Sequence, residues 1–471
     1  MNAPARRNPF LEGNFAPLSM ESEAPILPVE GDMPKDLFGS LYRIGPNPAF
    51  PPRDPHHHWF FGDGMVHAFH VADGRVAYRN RWVETPKLKR ERAAGRSLYG
   101  TFGNPFTTEA DAIGGDCGVA NTNIVWHAGR LLALEEGHRP TAMDPHSLAT
   151  IGYHDYDGRL SGPMTAHPKI CPETGRMYAF AYAPGGFAGD GKVLNYYVVE
   201  ADGTMSRSFE VPVPYFAMVH DFMVTRNHVV FPIMPLTGSL ERAMKGLPFF
   251  AWEPDLPVHI GIMPRDATGP EAIRWFEGDP SYVFHPMNAW EEGGRLFCDV
   301  AEYEAAPLFP LADGRAGDPA KAAARLTRWT FDLDGATAAF GRARLDDLEC
   351  EFPRHDERRA GLSYGHGWFA FRTAAARSGS FDGLAHVNHR TGARSVFRLP
   401  PQDAASEPVF VPRTADADEG DGYVLSVIYR GEEKISELAV FDALSLSAGP
   451  LARARLSHRV PFGFHGNWRQ G

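Results

Sequence analysis

Twenty histidines lie along this 471-residue chain, and two arrangements of them suit metal chemistry. The first is the run HHHWFFGDGMVHAFH, residues 56–70, with five histidines in fifteen residues. Its GDG turn leads into an alternating strand, on which His67 and His70 face opposite sides. A hairpin could bring two of His57, His58, His67 and His70 together, yet no HxH or HxxxH pair here is backed by a third ligand. A piece of strand scaffold is the simpler account. The second arrangement is dispersed. His167 in TAHPKI, His220 in MVHDFMVT, His285 in YVFHPMNAW and His465 in PFGFHGNW each stand alone among apolar or aromatic residues, near a strand start. Taken singly, each reads as a core histidine with one hydrogen bond. Their separations of 53, 65 and 180 residues are compatible with one histidine on each of several repeated units that meet at an axis.

Two other motifs fall short. GFAGDGK (186–192) has the spacing of a phosphate-binding loop, but Val193 stands where a Mg²⁺-binding Ser or Thr is needed. The VLNYYVVE that follows reads as a strand where that motif requires a helix. GLSYG (361–365) matches a nucleophile elbow, but RHDERRA precedes it in place of a buried strand, so Ser363 reads as a turn residue.

The elements that must carry these histidines are short strands. Aromatics at 12%, with 48 Gly and 40 Pro, favour many turns over long helices. One phrase recurs: a β-rich run, a tight glycine turn, another β-rich run. HAFHV-ADG-RVAYRNRWV, NIVWH-AGR-LLALE, HPKICPETG-RMYAFAYA and YYVVE-ADG-TMSRSFEV are examples. AWEEGG-RLFCDVAEY, RWTFD-LDG-ATAAFGRA, AHVNHRTG-ARSVFRL and the run YVLSVIY continue it. Asp-Gly and Gly-containing pairs supply the positive φ that two-residue hairpin turns need. Residues 1–30 read as an N-terminal arm and 31–471 as a single all-β domain, a seven-bladed β-propeller at roughly 60–65 residues a blade. SLERAMKG (239–246) is the one helical segment expected, as a cap or loop helix.

The net charge of -11, without a basic run, argues against nucleic acid as a partner. The start, MNAPARRNPFLEGNFAP, lacks the apolar stretch of a signal peptide, and no run of about 18 apolar residues occurs. A cytoplasmic location without a membrane span is expected; peripheral membrane contact and oligomeric state stay open. Cys117, Cys171, Cys298 and Cys350 form no CxxC pair and read as reduced thiols.

The order of motifs GSLYRIGPNP, FFGDGMVHAFH, VANTNIVWHAGRLLALEEG, TAHPKI, HDFMVTRNHVVFPIMP, NAWEEGGR, RLTRWTFDL, SEPVFVPR, EGDGYVLSV and FGFHGNW resembles the carotenoid cleavage oxygenase family over nearly the whole chain. The bacterial lignostilbene- and isoeugenol-cleaving branch is the most similar. The resemblance implies a seven-bladed propeller carrying one non-haem Fe(II) held by His167, His220, His285 and His465. It also implies glutamates that hydrogen-bond those histidines, at Glu136, Glu351 and Glu407. The implied reaction is alkene cleavage, C=C plus O2 giving two carbonyl products, with O2 as co-substrate. In that family the histidines of residues 56–70 are not iron ligands, and that run builds a blade.

Phenol-cleaving relatives grip the 4-hydroxyl of the substrate with a Tyr and a Lys. This chain reads GTFGNPFTTE and LALEEG in those segments, placing Phe102 and Glu135 there. Two explanations compete. The substrate is an apocarotenoid without that phenol, or Glu135 or Tyr99 takes over the phenol contact. The branch motifs favour a small hydrophobic aryl alkene, a vinyl- or propenylphenol or a stilbene. Phe60, Phe61, Tyr99, Phe102, Phe284 and Phe464 are the candidate pocket walls, residues that taken one by one more often pack a core. A propeller used only for binding, with its histidines buried for structure, is the alternative from another class.

Overall fold

Two-residue turns set the local geometry. The strands Gly64–Ala72 and Arg75–Trp82 are joined by Asp73 and Gly74, with φ of 51° and 73°. Asn123–His127 and Arg130–Leu134 are joined by Ala128 and Gly129, with φ of 47° and 75°. Tyr282–Glu292 and Arg295–Tyr303 are joined by Gly293 and Gly294, again both at positive φ. Paired positive φ is the turn whose twist matches the right-handed twist of the flanking strands, which is why ADG, AGR and EGG were legible as hairpins.

The structure is a computed structural model that describes residues 8–101, 105–186, 191–376 and 379–471. Its strands form seven sheets of four to six strands and one two-stranded ribbon, a seven-bladed β-propeller. By contact density the chain divides into two compact units. The first comprises Met1–Leu160, Ser426–Val440 and Pro450–Gly471. It holds a five-stranded sheet with Gly466–Gln470 at one edge, beside Gly39–Pro46, and a four-stranded sheet opening on Asn123–His127. The expected arm contributes edge strands: Glu23–Ala24 pairs with Arg75–Trp82, and Val29–Gly31 with Ala452–Arg455.

The second unit comprises Ser161–Leu425 and Phe441–Gly449. It holds four four-stranded antiparallel sheets, whose first strands are Lys169–Ile170, Met223–Val224, Tyr282–Glu292 and Glu349–His355. In each sheet that first strand lies at an edge. Middle strands such as Met177–Tyr182 are buried at every residue, whereas the outer strand Met205–Pro212 alternates buried and exposed. Covering a strand on both faces produces a continuous apolar run, and covering one face produces alternation.

Leu240–Met244 is helical as expected, capped by the Ser239 side chain. A second helix, Pro86–Ala94, has no apolar periodicity in PKLKRERAA and escaped the sequence reading. Local chemistry starts and stops it: Thr85 accepts from the Leu88 N–H, Pro86 opens it, and Gly95 closes it at φ 68°. It buries Lys87, whose ammonium lies 2.7 Å from Asp63 and 2.8 Å from Glu91. No helix among the described residues is long and apolar enough to cross a membrane. Cys117, Cys171, Cys298 and Cys350 form no disulfide with one another.

Trp368 is fully buried, stacks on Phe410 at 4.6 Å and donates its indole N–H to the Ala443 carbonyl. Trp368→Ala is expected to cost about 3–5 kcal/mol of stability, read as a lower urea midpoint. Exposed Ser363→Ala in the GLSYG turn should shift that midpoint by less than about 0.5 kcal/mol.

Candidate metal centre

Three of the four isolated histidines occupy similar places in the architecture, each just before an edge strand. His167 precedes the edge strand Lys169–Ile170, His220 precedes Met223–Val224, and His465 precedes Gly466–Gln470. His285 sits inside Tyr282–Glu292, where the register shifts between Val283 and Pro286 and again before Asn288. Pro286 has no N–H to give the ladder, so the strand breaks step there and re-aims the side chain beside it. Backbone ties hold the others. The His167 N–H donates to Thr165 Oγ1, and the His465 carbonyl accepts the Ile44 N–H at 2.9 Å.

The four side chains offer one nitrogen each, all within 4.8 Å of one another. His167 Nε2 lies 3.1 Å from His220 Nε2, which lies 3.2 Å from His285 Nε2. With metal–nitrogen bonds of about 2.1 Å, neighbouring imidazole ligands at right angles stand about 3 Å apart. The donor set therefore fits a metal ion. All four histidines are 5–9% exposed.

Behind His285, Glu351 accepts from Nδ1 at 2.5 Å. It also accepts the Tyr303 hydroxyl at 2.8 Å and the Phe352 N–H at 2.7 Å. Burial raises the Glu351 pKa, but the His285 charge and these donors outweigh it and hold the carboxyl below its ordinary range. Burial likewise lowers His285, and Glu351 more than reverses it. The strand Glu349–His355 shifts register between Glu351 and Arg354, and Phe352 takes a φ of 53°. That irregularity stacks the Phe352 ring on His285 at 5.3 Å and lets Arg354 reach Glu407 at 3.2 Å. Glu407 is 4% exposed, and Glu136 is half-buried just beyond Arg130–Leu134.

The aromatic candidates divide into three places. Phe284 packs edge-on against the His220 ring at 5.1 Å. Phe60 meets Phe464 at 5.5 Å, also edge-on. Phe61 and Cys117 pack against the cluster of Leu98, Tyr99 and Ala112. Phe102 lies outside the described residues, as do residues 187–190 of GFAGDGK; the strand Val193–Val199 follows that segment. Glu135 is engaged by its own chain: Oε1 accepts the N–H groups of Val119 and Ala120 and lies 3.2 Å from His138 Nδ1. Burial pushes His138 down, but the Glu135 charge overrides it and lifts the imidazole to about 11.

The histidines of residues 56–70 serve the scaffold. His58 Nδ1 accepts the Phe60 N–H, His67 Nδ1 pairs with the Tyr78 hydroxyl, and His70 Nδ1 pairs with Ser40 Oγ. None belongs to the four-histidine group. Sequence reasoning missed Phe352, Tyr303 and Arg354, and it missed Asp221, 3.5 Å from His167 Nδ1 and 2.7 Å from Lys169. The dipeptide His220-Asp221 and the nearby Lys169 in TAHPKI were the available signals.

A family model described as "Retinal pigment epithelial membrane protein" matches residues 15–470. The chain belongs to this family. Within it, the chain is 38% identical to isoeugenol monooxygenase of Pseudomonas putida, covering 98% of each chain. It is 38% identical to lignostilbene-alpha,beta-dioxygenase isozyme III of Sphingomonas paucimobilis, covering 97% of this chain and 96% of that one. The crystal structure of Pseudomonas brassicacearum lignostilbene dioxygenase superposes with a TM-score of 0.94 at 37% identity, covering 100% of both chains. This family is the carotenoid cleavage oxygenase family, the one that the ordered motifs indicated.

The Glu135–His138 pair yields a direct test. His138 should stay protonated through neutral pH, its ring resonances titrating near pH 11. In Glu135→Gln the main charge that holds the proton is gone and only Cys117 is left to oppose burial, so the titration should fall well below that of the wild type. Histidine-selective NMR reads both.

Proposed function

We propose that this chain is an Fe(II)-dependent oxygenase that cleaves the side-chain double bond of a small aryl alkene with O2, giving two carbonyl compounds. The observation that carries the reading is the convergence of four buried imidazole nitrogens within 4.8 Å. The identity to an isoeugenol monooxygenase and a lignostilbene dioxygenase supports the alkene substrate. His167, His220, His285 and His465 would hold the iron. Neutral imidazoles suit Fe(II), and four of them leave coordination positions for O2 and leave the metal charge uncancelled. Iron bound there would supply the oxygen chemistry.

The protein's own residues do the rest. Glu351 accepts a hydrogen bond from the His285 Nδ1–H, which fixes the tautomer and leaves the Nε2 lone pair for the metal. Glu136 and Glu407 are assigned the same task toward other ligand histidines. Phe284, against His220, excludes water from one side of the site and offers the alkene an apolar face. Phe60, Phe61, Tyr99, Phe102 and Phe464 are assigned to the substrate pocket. The reaction balances without a reductant, because both oxygen atoms of O2 are accounted for by the two carbonyl groups.

One observation favours a second reading. Glu135 already accepts two backbone N–H groups and pairs with His138, so a phenol hydroxyl has to compete for it. An apocarotenoid, held by apolar contacts, needs no such partner.

Aerobic incubation of the iron-loaded protein with isoeugenol, 4-vinylguaiacol, resveratrol and an apocarotenal, with products read by mass, separates these readings. Aldehydes from the aryl alkenes are expected. Cleavage of the apocarotenal alone would select the second reading, and no iron uptake with no cleavage would leave a binding propeller. His220→Ala should abolish both iron retention and turnover, while Ser363→Ala should leave turnover unchanged; the reverse result would indicate a hydrolase.

A further inference from the structure

His167 and His285 are built alike. Each turns Nε2 toward His220 Nε2, at 3.1 and 3.2 Å, and each has a carboxylate at its Nδ1 side. For His285 the carboxylate is Glu351, at 2.5 Å. For His167 it is Asp221 Oδ2, at 3.5 Å. Asp221 is 4% exposed, so its charge is little screened by water. Its other oxygen, Oδ1, is tied by the Lys169 ammonium at 2.7 Å and by the Phe222 N–H at 2.6 Å. Those ties turn Oδ2 toward the imidazole.

We propose that Asp221, pinned by Lys169, is the positioning residue of His167: its carboxylate attracts the Nδ1–H as a hydrogen-bond acceptor and so keeps Nε2 as the metal-facing nitrogen. The inference rests on the proposed metal site and adds a fourth carboxylate to the three glutamates assigned there. The chain supplies it compactly. Asp221 follows the ligand His220, and Lys169 lies two residues beyond the ligand His167, so each of two neighbouring sheet edges carries one ligand and one half of the pin. The two carboxylates differ in strength. Glu351 is held by neutral donors and faces His285 with its full charge. Asp221 shares its charge with an ammonium, at a longer distance from the ring. His167 is therefore the less polarised ligand of the two, and its partner should matter less than Glu351 does.

The test uses the full chain and Co(II) alone as the probe. Cobalt loading is followed by its visible absorption, and transfer to a chelator gives the release rate. Loss of such a ligand partner typically weakens metal binding by about 10- to 100-fold. Asp221→Asn is expected near the tenfold end, with a shifted cobalt band, and Glu351→Gln nearer the hundredfold end. Asp221→Glu should recover part of the loss. Lys169→Met should change the release rate and the cobalt band on its own, and should add nothing when D221N is already present, because it acts through that carboxylate. Unfolding midpoints of the metal-free proteins show whether a variant has merely lost stability. Wild-type release rate and spectrum in D221N would overturn the proposal while leaving the four-histidine site standing. If D221N does not fold, an unchanged release rate and band in K169M would overturn it. Failure of the wild-type protein to bind Co(II) or Fe(II) would overturn the metal site, and this inference with it.

Discussion

Ring nitrogens of His167, His220 and His285 converge in a buried place, 3.1 Å from His167 to His220 and 3.2 Å from His220 to His285, and two lone pairs at that spacing repel unless a proton or a cation lies between them. Water does little to relieve such repulsion, since the four residues are 5–9% exposed. The fold must therefore hold the imidazoles against their own preference and supply groups that settle each ring's tautomer. Much of the polar structure nearby follows from that constraint. Glu351 sits on the far nitrogen of His285, Tyr303 and the Phe352 N–H hold Glu351, and Asp221 sits beside the far nitrogen of His167 with Lys169 behind it.

Holding rings at a point calls for stiff supports, and edge strands of separate sheets provide them. Three of the histidines lie just before an edge strand, where the chain is not yet committed to a ladder and can present a side chain end-on. His285 lies within a strand and needs a break in register at Pro286 to reach the same attitude. The register shift in Glu349–His355 does comparable service, because one irregular segment delivers Glu351 to His285, Phe352 to the His285 ring face and Arg354 to Glu407. In these two strands the irregular backbone falls where side chains have to be aimed.

Much of the frame was legible. ADG, AGR and EGG announced hairpins because a two-residue turn depends only on its own φ angles and those of its neighbours. SLERAMKG was legible as a helix for a similarly local reason, and the structure caps it with Ser239. Pro86–Ala94 was missed because its helix is stabilised by caps and by a buried ion-paired Lys87, which leaves no apolar stripe to read. The run of residues 56–70 drew attention by density alone, yet His58, His67 and His70 each satisfy a neighbour in the scaffold.

What the amino-acid sequence determined by itself was therefore the local part: hairpin turns, strand periods, and histidines placed singly where apolar residues would exclude water. Family motifs then named His167, His220, His285 and His465 as a set. Only the tertiary structure decided that their nitrogens come within 4.8 Å, that Asp221 stands behind His167, and that Glu135 is already engaged by Val119, Ala120 and His138. The reason is separation along the chain. A turn closes over two residues, whereas, the neighbouring His138 apart, these contacts join segments from fifteen to well over a hundred residues apart, and their distances follow from how whole sheets are packed.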